Sequence, residues 1–221
     1  PHNPVCRVWS YEELKMMGEI CKKYNVIVVS DEIHSDFVYT GNKHTVFSTI
    51  SEEFADMSVI CTSPSKTFNL AGLQLSNIFI KNEQMRRKFI KEFHRTGYNE
   101  PNVMGVVSAQ AAYEKGEAWL EELLEYLKGN IVLAKRIIDS SGTKLKMIEP
   151  EGTYLLWVDC RNLGMDSKKL DRFIIDKASL WLDGGTMFGE EGEGFQRINA
   201  ACPSKLLEKG LTRLAEVIKQ R

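Results

Sequence analysis

Lys66 is the residue of this sequence best placed for covalent chemistry. It lies in Ser63-Pro64-Ser65-Lys66-Thr67, directly beyond the apolar run Ser58-Val59-Ile60-Cys61-Thr62, and is followed by Phe68, Leu70, Ala71 and Leu73. An ammonium partly desolvated by such neighbours gives up its proton more readily, and becomes a nucleophile or a Schiff-base amine. Ser63 and Ser65, with the N–H groups of the turn, offer donors to a phosphate beside it. The same residues also read as a solvated loop with two turn-forming serines, so the segment alone does not decide.

A second cluster, Ser30-Asp31-Glu32-Ile33-His34, follows the apolar run Val26-Ile27-Val28-Val29. Asp31 there is either an ordinary turn or cap carboxylate, or an acid that pairs with a protonated ring nitrogen of a cofactor. Glu32 reads as its solvated neighbour pointing the other way, and His34 as a hydrogen-bond donor or a structural histidine. Arg197, in the alternating stretch Gln196-Arg197-Ile198-Asn199, is a surface charge or a bidentate clamp on a substrate carboxylate, which the guanidinium fork suits.

These groups need elements to hold them. Ser10 and Glu13 form a capping box, and Leu14, Met17, Cys21 and Tyr24 recur at helical spacing after it. Val26–Val29 lacks polar alternation, as expected of a strand covered on both faces, and similar runs lie at 58–62 and 77–80. Glu83 to Arg95 reads as a helix, so strands alternate with helices and an α/β sheet domain is expected. Open parallel sheets place their ligand crevice at the C-terminal ends of the strands, where both polar clusters fall. From Val103 to Ser140 the pattern is mainly helical, with breaks expected at Gly116 and at Gly129. Beyond Gly142, strands at 144–148, 153–158, 180–182 and 196–199 flank a helix at 167–177, and a last helix runs from Ser204 to Lys219. The expected division is a large domain over 1–115, a connecting helix over 116–141 and a small α/β domain over 142–221.

Composition narrows the function. With 29 Lys+Arg against 30 Asp+Glu the 221-residue chain carries a formal charge of −1, which argues against a general nucleic-acid or anionic-membrane binder. No apolar run approaches the ~20 residues of a membrane span, and no signal-like segment leads the residues given. Five dispersed cysteines without a CxxC pair suit a reducing, cytoplasmic setting, and four scattered histidines give no metal-ligand spacing.

Taken together and in order, His2-Asn3-Pro4, Asp31-Glu32-Ile33-His34, Ser63-x-Ser65-Lys66 and Arg197-Ile198-Asn199-x-Ala201-Cys202-Pro203 resemble the fold-type-I pyridoxal-phosphate (PLP) enzymes of the class I/II aminotransferase group. Within it, the segments 31–34 and 63–73 look most like the MalY/PatB family of cystathionine β-lyase-like C–S lyases. The resemblance implies a mainly parallel large domain, incomplete here, plus a small C-terminal α/β domain. It implies Lys66 as the lysine that holds PLP and later moves the α-proton, and Asp31 as partner of the ring nitrogen. Asn3 would bond the phenolic oxygen with His34 near it, Ile33 would pack on the ring, Ser63 and Ser65 would bind phosphate, and Arg197 would hold the α-carboxylate. Two positions depart from the aminotransferase pattern: Gln74 stands where many have a phosphate-binding arginine, and His34 where many have tyrosine. Both favour the lyase branch. Cys6 stands where the Asn-Pro turn usually carries glycine and reads as tolerated drift.

The implied reaction is α,β-elimination from a cystathionine- or cysteine-type substrate, giving thiol, pyruvate and ammonia. Transamination with the same residues is the alternative, and a non-catalytic relative is disfavoured by the presence of Lys66, Asp31 and Arg197. A homodimer with the site at the subunit interface is expected. The opening turn Pro1-His2-Asn3-Pro4 has no element before it, so the chain is expected to begin mid-fold and, alone, neither to cover its sheet nor to turn over efficiently.

Overall fold

The computed structural model describes residues 1–98 and 100–221. Helix α1 (Tyr11–Lys23) starts on the expected capping box: the Ser10 hydroxyl accepts from the Glu13 N–H at 3.2 Å, and the Glu13 carboxylate accepts from the Ser10 N–H at 2.9 Å. At its far end Asn25 turns left-handed (φ 54°) and the Val26 N–H closes back on the Cys21 carbonyl. Val26 and Ile27 are spent leaving the helix. Strand β1 is therefore Val28–Asp31, two residues later than the apolar run suggests.

After α2 (Glu52–Asp56), β2 (Ser58–Thr62) pairs in parallel with β1, from Val28 opposite Ser58 to Asp31 opposite Cys61. The single helical turn α3 (Pro64–Thr67) leads on to β3 (Asn77–Phe79), which pairs antiparallel with the other edge of β2. The mainly parallel sheet expected from sequence is thus half antiparallel among the described strands. The connection, residues 63–76, turns back through α3 and a short 3-10 turn at Ala71–Leu73 instead of crossing over to the start of β2. With β1 at the edge of this sheet, Val29 is 66% exposed, so the two-sided cover its composition suggests is lacking among the described residues.

The core of this region is Leu14, Phe47, Phe54 and Ile60, with Trp9, Val28, Val46, Ile50 and Met57 packed around it. The rings of Phe47 and Phe54 stack at 5.3 Å, and Gly18 is required beside them because a Cβ there would lie 2.1 Å from the Phe54 ring. Three helices follow: α4 (Glu83–Arg95), α5 (Val103–Lys115) and α6 (Glu117–Ser140). The break between α5 and α6 falls at Gly116, where the Phe68 ring occupies the place of a Cβ; Gly129 does not interrupt α6.

The described chain divides into two compact units, Pro1 with Val8–Glu122 and His2–Arg7 with Leu123–Arg221. The division falls inside α6. Against expectation, the opening turn His2–Arg7 packs with the second unit, because the Cys6 thiol donates to the Leu155 carbonyl at 2.8 Å and the Cys6 carbonyl accepts from the N–H groups of Glu151 and Gly152.

The second unit is a four-stranded antiparallel sheet in the order β4-β5-β7-β6, from β4 (Lys146–Met147), β5 (Leu155–Asp159), β6 (Asp183–Gly184) and β7 (Phe195–Asn199). Asp166 caps α7 (Ser167–Phe173), whose wide continuation 174–178 ends at left-handed Ser179. The strand expected at 180–182 consequently forms only at Asp183–Gly184. Helix α8 (Ser204–Lys219) buries Leu207, Leu211, Leu214 and Ala215. Buried Asn130 of α6 donates to the carbonyls of Ala200 and Cys202 and accepts from the Ser204 hydroxyl. All five cysteines are free, and burial pushes the Cys160 thiol up to about 12.

Candidate active site

In the first unit, the parallel pairing of β1 and β2 brings their C-terminal ends to one edge of the sheet. Asp31 closes β1 there, and Lys66 follows β2 on α3. Asp31 is exposed; its Oδ1 accepts from the Ile33 N–H at 3.2 Å, and its Oδ2 has no hydrogen bond among the described residues. Ile33 is half-buried and His34 is buried, its ring tilted toward Phe37 at 6.3 Å.

Glu32 is not the solvated neighbour that the sequence suggests. It is 5% exposed and accepts from the Phe47 N–H at 3.0 Å, the Ser30 hydroxyl at 3.0 Å and His44 Nε2 at 2.9 Å. Burial alone would raise its carboxyl, but those hydrogen bonds and the nearby His44 hold it below the usual carboxylate value. The partners come from 12 and 15 residues downstream, which no local pattern signals.

Ser63 caps α3: its Oγ accepts from the Ser65 N–H at 3.0 Å and donates to the Leu75 carbonyl at 2.6 Å. A hydroxyl has one proton to donate, so Ser63 holds the turn, and the Ser65 hydroxyl is the donor left for an anion. Lys66 is exposed rather than desolvated, because the apolar residue beside it packs elsewhere: the Phe68 ring meets Tyr113 edge-on at 6.1 Å and Trp119 at 5.9 Å. Buried Thr67 donates to Asp36 Oδ2 at 2.6 Å, tying α3 to the turn that carries His34. Tyr113 accepts from Asn77 at 3.1 Å; burial, with the Asp36 charge adding to it, raises its phenol. Gln74 ends the 3-10 turn Ala71–Leu73 in the left-handed region (φ 52°).

The second unit holds Asn3 and Arg197 in direct contact. Arg197 Nη1 donates to Asn3 Oδ1 at 2.6 Å, while Nε and Nη2 both donate to Asp183 Oδ2, at 3.1 and 2.6 Å. Its guanidinium lies 4.7 Å from the Phe188 ring centroid, a cation–π contact that fixes the plane. Three of the five guanidinium N–H groups are thereby used, and one remains on each terminal nitrogen, the pair a carboxylate takes in fork fashion. The anchor of this turn is Cys6. It adopts φ 64°, where glycine is the ordinary choice, and its buried thiol is pushed up to about 11, so it stays protonated and donates to Leu155.

Sequence reasoning misreads Glu32 as solvated and passes over Asp36, Thr67 and Asp183. Only Thr67 had a signal, its place beside Lys66; the others are found through partners distant in sequence. Among the described residues no helix is long and apolar enough to cross a membrane, and no cluster of His, Cys, Asp or Glu is placed to hold a metal ion.

Comparison with known proteins gives a consistent picture. Residues 1–214 match the family model for aminotransferase class I and II. The chain is 44% identical over 214 residues to cystathionine beta-lyase PatB of Bacillus subtilis strain 168, covering 97% of this chain and 55% of that one. It is 34% identical to protein MalY of Escherichia coli K12, covering 99% and 56%. Among solved structures, cystalysin of Treponema denticola, which contains a pyridoxal 5'-phosphate cofactor, superposes with a TM-score of 0.97 at 39% identity, over all of this chain and 56% of that one. The chain therefore spans about half the length of the relatives it matches, and the α/β fold is that of fold type I.

Proposed function

The chain belongs to the aminotransferase class I and II family, and from that premise we propose that it serves PLP-dependent cleavage of a carbon–sulfur bond. The substrate is a cystathionine- or cysteine-type amino acid, which loses its α-proton and β-thiolate and, with water, yields pyruvate and ammonia. One observation carries this reading: the Lys66 amine and an open oxygen of Asp31 stand at the ends of adjoining parallel strands. That donor set fits PLP, since an amine meets its aldehyde, a carboxylate its protonated ring nitrogen and the Ser65 hydroxyl its phosphate. When bound, the cofactor supplies an electron sink for the charge left at the α-carbon.

The chain's own residues do the rest. Lys66 would hold the cofactor through Nζ and, when free, would accept the α-proton there as general base. Asp31 Oδ2 would keep the ring nitrogen protonated. Asn3 would bond the phenolic oxygen, and Ile33 and His34 would line the ring. Ser63 fixes the turn from which Ser65 donates to phosphate. Arg197 presents its two remaining N–H groups to the α-carboxylate, its plane held by Asp183 and Phe188. Gln74 and His34 favour the lyase over the aminotransferase, and PatB is named a cystathionine beta-lyase. We propose also that the working form is a cytoplasmic homodimer, for which the five free cysteines suit a reducing setting.

The test uses the full-length protein. Cystathionine should yield pyruvate and a new thiol, Lys66→Ala should abolish both, and borohydride should fix a phosphopyridoxyl group on Lys66 of the unsubstituted protein. Glutamate formed from an amino acid and 2-oxoglutarate, without pyruvate or thiol from cystathionine, would replace the lyase by the aminotransferase.

A further inference from the structure

We propose that Asp36 and Thr67 form a latch that positions Lys66, a role that rests on the reading of Lys66 given above. Lys66 is exposed, and α3 on which it sits is only four residues long, so neither burial nor a long helix fixes its amine. Its place is set by its chain neighbours. Thr67 is 1% exposed, and its hydroxyl proton goes to Asp36 Oδ2 at 2.6 Å, the length of a charge-assisted O–H···O⁻ bond. Phe68, next along, is wedged against Tyr113 and Trp119.

Asp36 lies in the turn that leaves β1, two residues beyond His34. The ladder between β1 and β2 stops at the pair Asp31–Cys61, followed by the Glu32 N–H to the Cys61 carbonyl. Beyond that point the two segments diverge, and the Asp36–Thr67 bond rejoins them across 31 residues of sequence. It thus fixes the spacing between the Asp31–His34 segment and the Lys66 turn at the place where the backbone no longer does. A buried hydroxyl that loses its acceptor must find another, and the turn shifts to let it do so. Asp36 meets the Thr67 hydroxyl, and its charge reaches the Tyr113 phenol, whose proton it helps to retain. Asp36 and Thr67 touch no reacting atom in this account; they act through Lys66.

The test compares Thr67→Val, Thr67→Ser and Asp36→Asn in the full-length protein, reading kcat and KM for cystathionine and the dissociation constant of PLP from the cofactor-free protein. Losing a hydrogen bond to a charged group should lower kcat about tenfold to a hundredfold in Thr67→Val, with KM within about twofold, and weaken PLP retention by a similar factor. Thr67→Ser, which keeps the hydroxyl, should restore both. The double variant Thr67→Val/Asp36→Asn should be no worse than the poorer single one, since one contact is shared. Equal kcat in Thr67→Val and Thr67→Ser, or a lowered melting temperature with kcat and PLP affinity unchanged, overturns the latch. If Thr67→Val does not fold, Asp36→Ala, which removes the acceptor, decides: unchanged kcat and PLP affinity there overturn it as well. Borohydride labelling of the unsubstituted protein separates the two levels. Label elsewhere than Lys66 removes the reading of Lys66 and the latch with it, whereas label on Lys66 with indifferent variants removes the latch alone.

Discussion

Replacing Glu32 by alanine tests whether the segment bearing Asp31 and His34 is held by a buried carboxylate. The structure sets the size of the effect. Glu32 accepts three hydrogen bonds, and one donor, the N–H of buried Phe47, has no water to turn to. Leaving a buried donor unpaired costs about 1–3 kcal/mol, and removing one member of a buried pair costs about 3–5 kcal/mol in all. Glu32→Ala should therefore lower stability by about 3–5 kcal/mol. Glu32→Gln keeps an acceptor for Phe47 and should lose about 1–2 kcal/mol. The sign of the pH dependence follows from the lowered carboxyl. Its contribution is complete above the ordinary value of 4.5 and is lost as pH falls through the lower folded value. The gap between the unsubstituted protein and Glu32→Gln should thus close below about pH 4.5. Urea unfolding of the full-length protein at pH 7, and then in steps down to pH 3, measures both. A Glu32→Ala protein within about 0.5 kcal/mol of the parent at pH 7, or a gap that widens in acid, would refute the reasoning.

Two further substitutions probe the cores of the separate units. Gly18→Ala places a methyl group 2.1 Å from the Phe54 ring, which is stacked on Phe47 and cannot swing away, so thermal unfolding should report a loss of about 1–3 kcal/mol or more; an unchanged melting temperature would mean that Phe54 has room. Asn130→Ala strips partners from the carbonyls of Ala200 and Cys202 and from the Ser204 hydroxyl, and its denaturant midpoint should fall by the equivalent of about 2–3 kcal/mol.

What could be read from the sequence was whatever depends on near neighbours. The Ser10–Glu13 box starts α1, the β-branched run 58–62 is β2, and helix α4 keeps its expected limits from Glu83 to Arg95. The clusters at 30–34 and 63–67 fall at the ends of β1 and β2, because composition marks where a buried segment stops, and Arg197 lies on β7. Tertiary partners were not legible. Glu32 looks like any solvated acid until His44 and Phe47 fold over it, and Ser63 looks like a phosphate ligand until Leu75 takes its proton. The antiparallel return of β3 depends on how residues 63–76 turn back, which the Ser-Pro-Ser-Lys spacing does not reveal. Cys6, read as drift from glycine, occupies the left-handed position that glycine would fill and adds a hydrogen bond glycine lacks.

That cysteine is also chemically quiet. Only a thiolate attacks alkylating reagents, and a thiol pushed up to about 11 is ionised in roughly one molecule in ten thousand at pH 7. Cys160, raised further, is quieter still, whereas Cys21 and Cys61 of the first unit are half-buried. The protein thus carries an internal clock: modification of Cys6 and Cys160 marks the moments when the second unit opens.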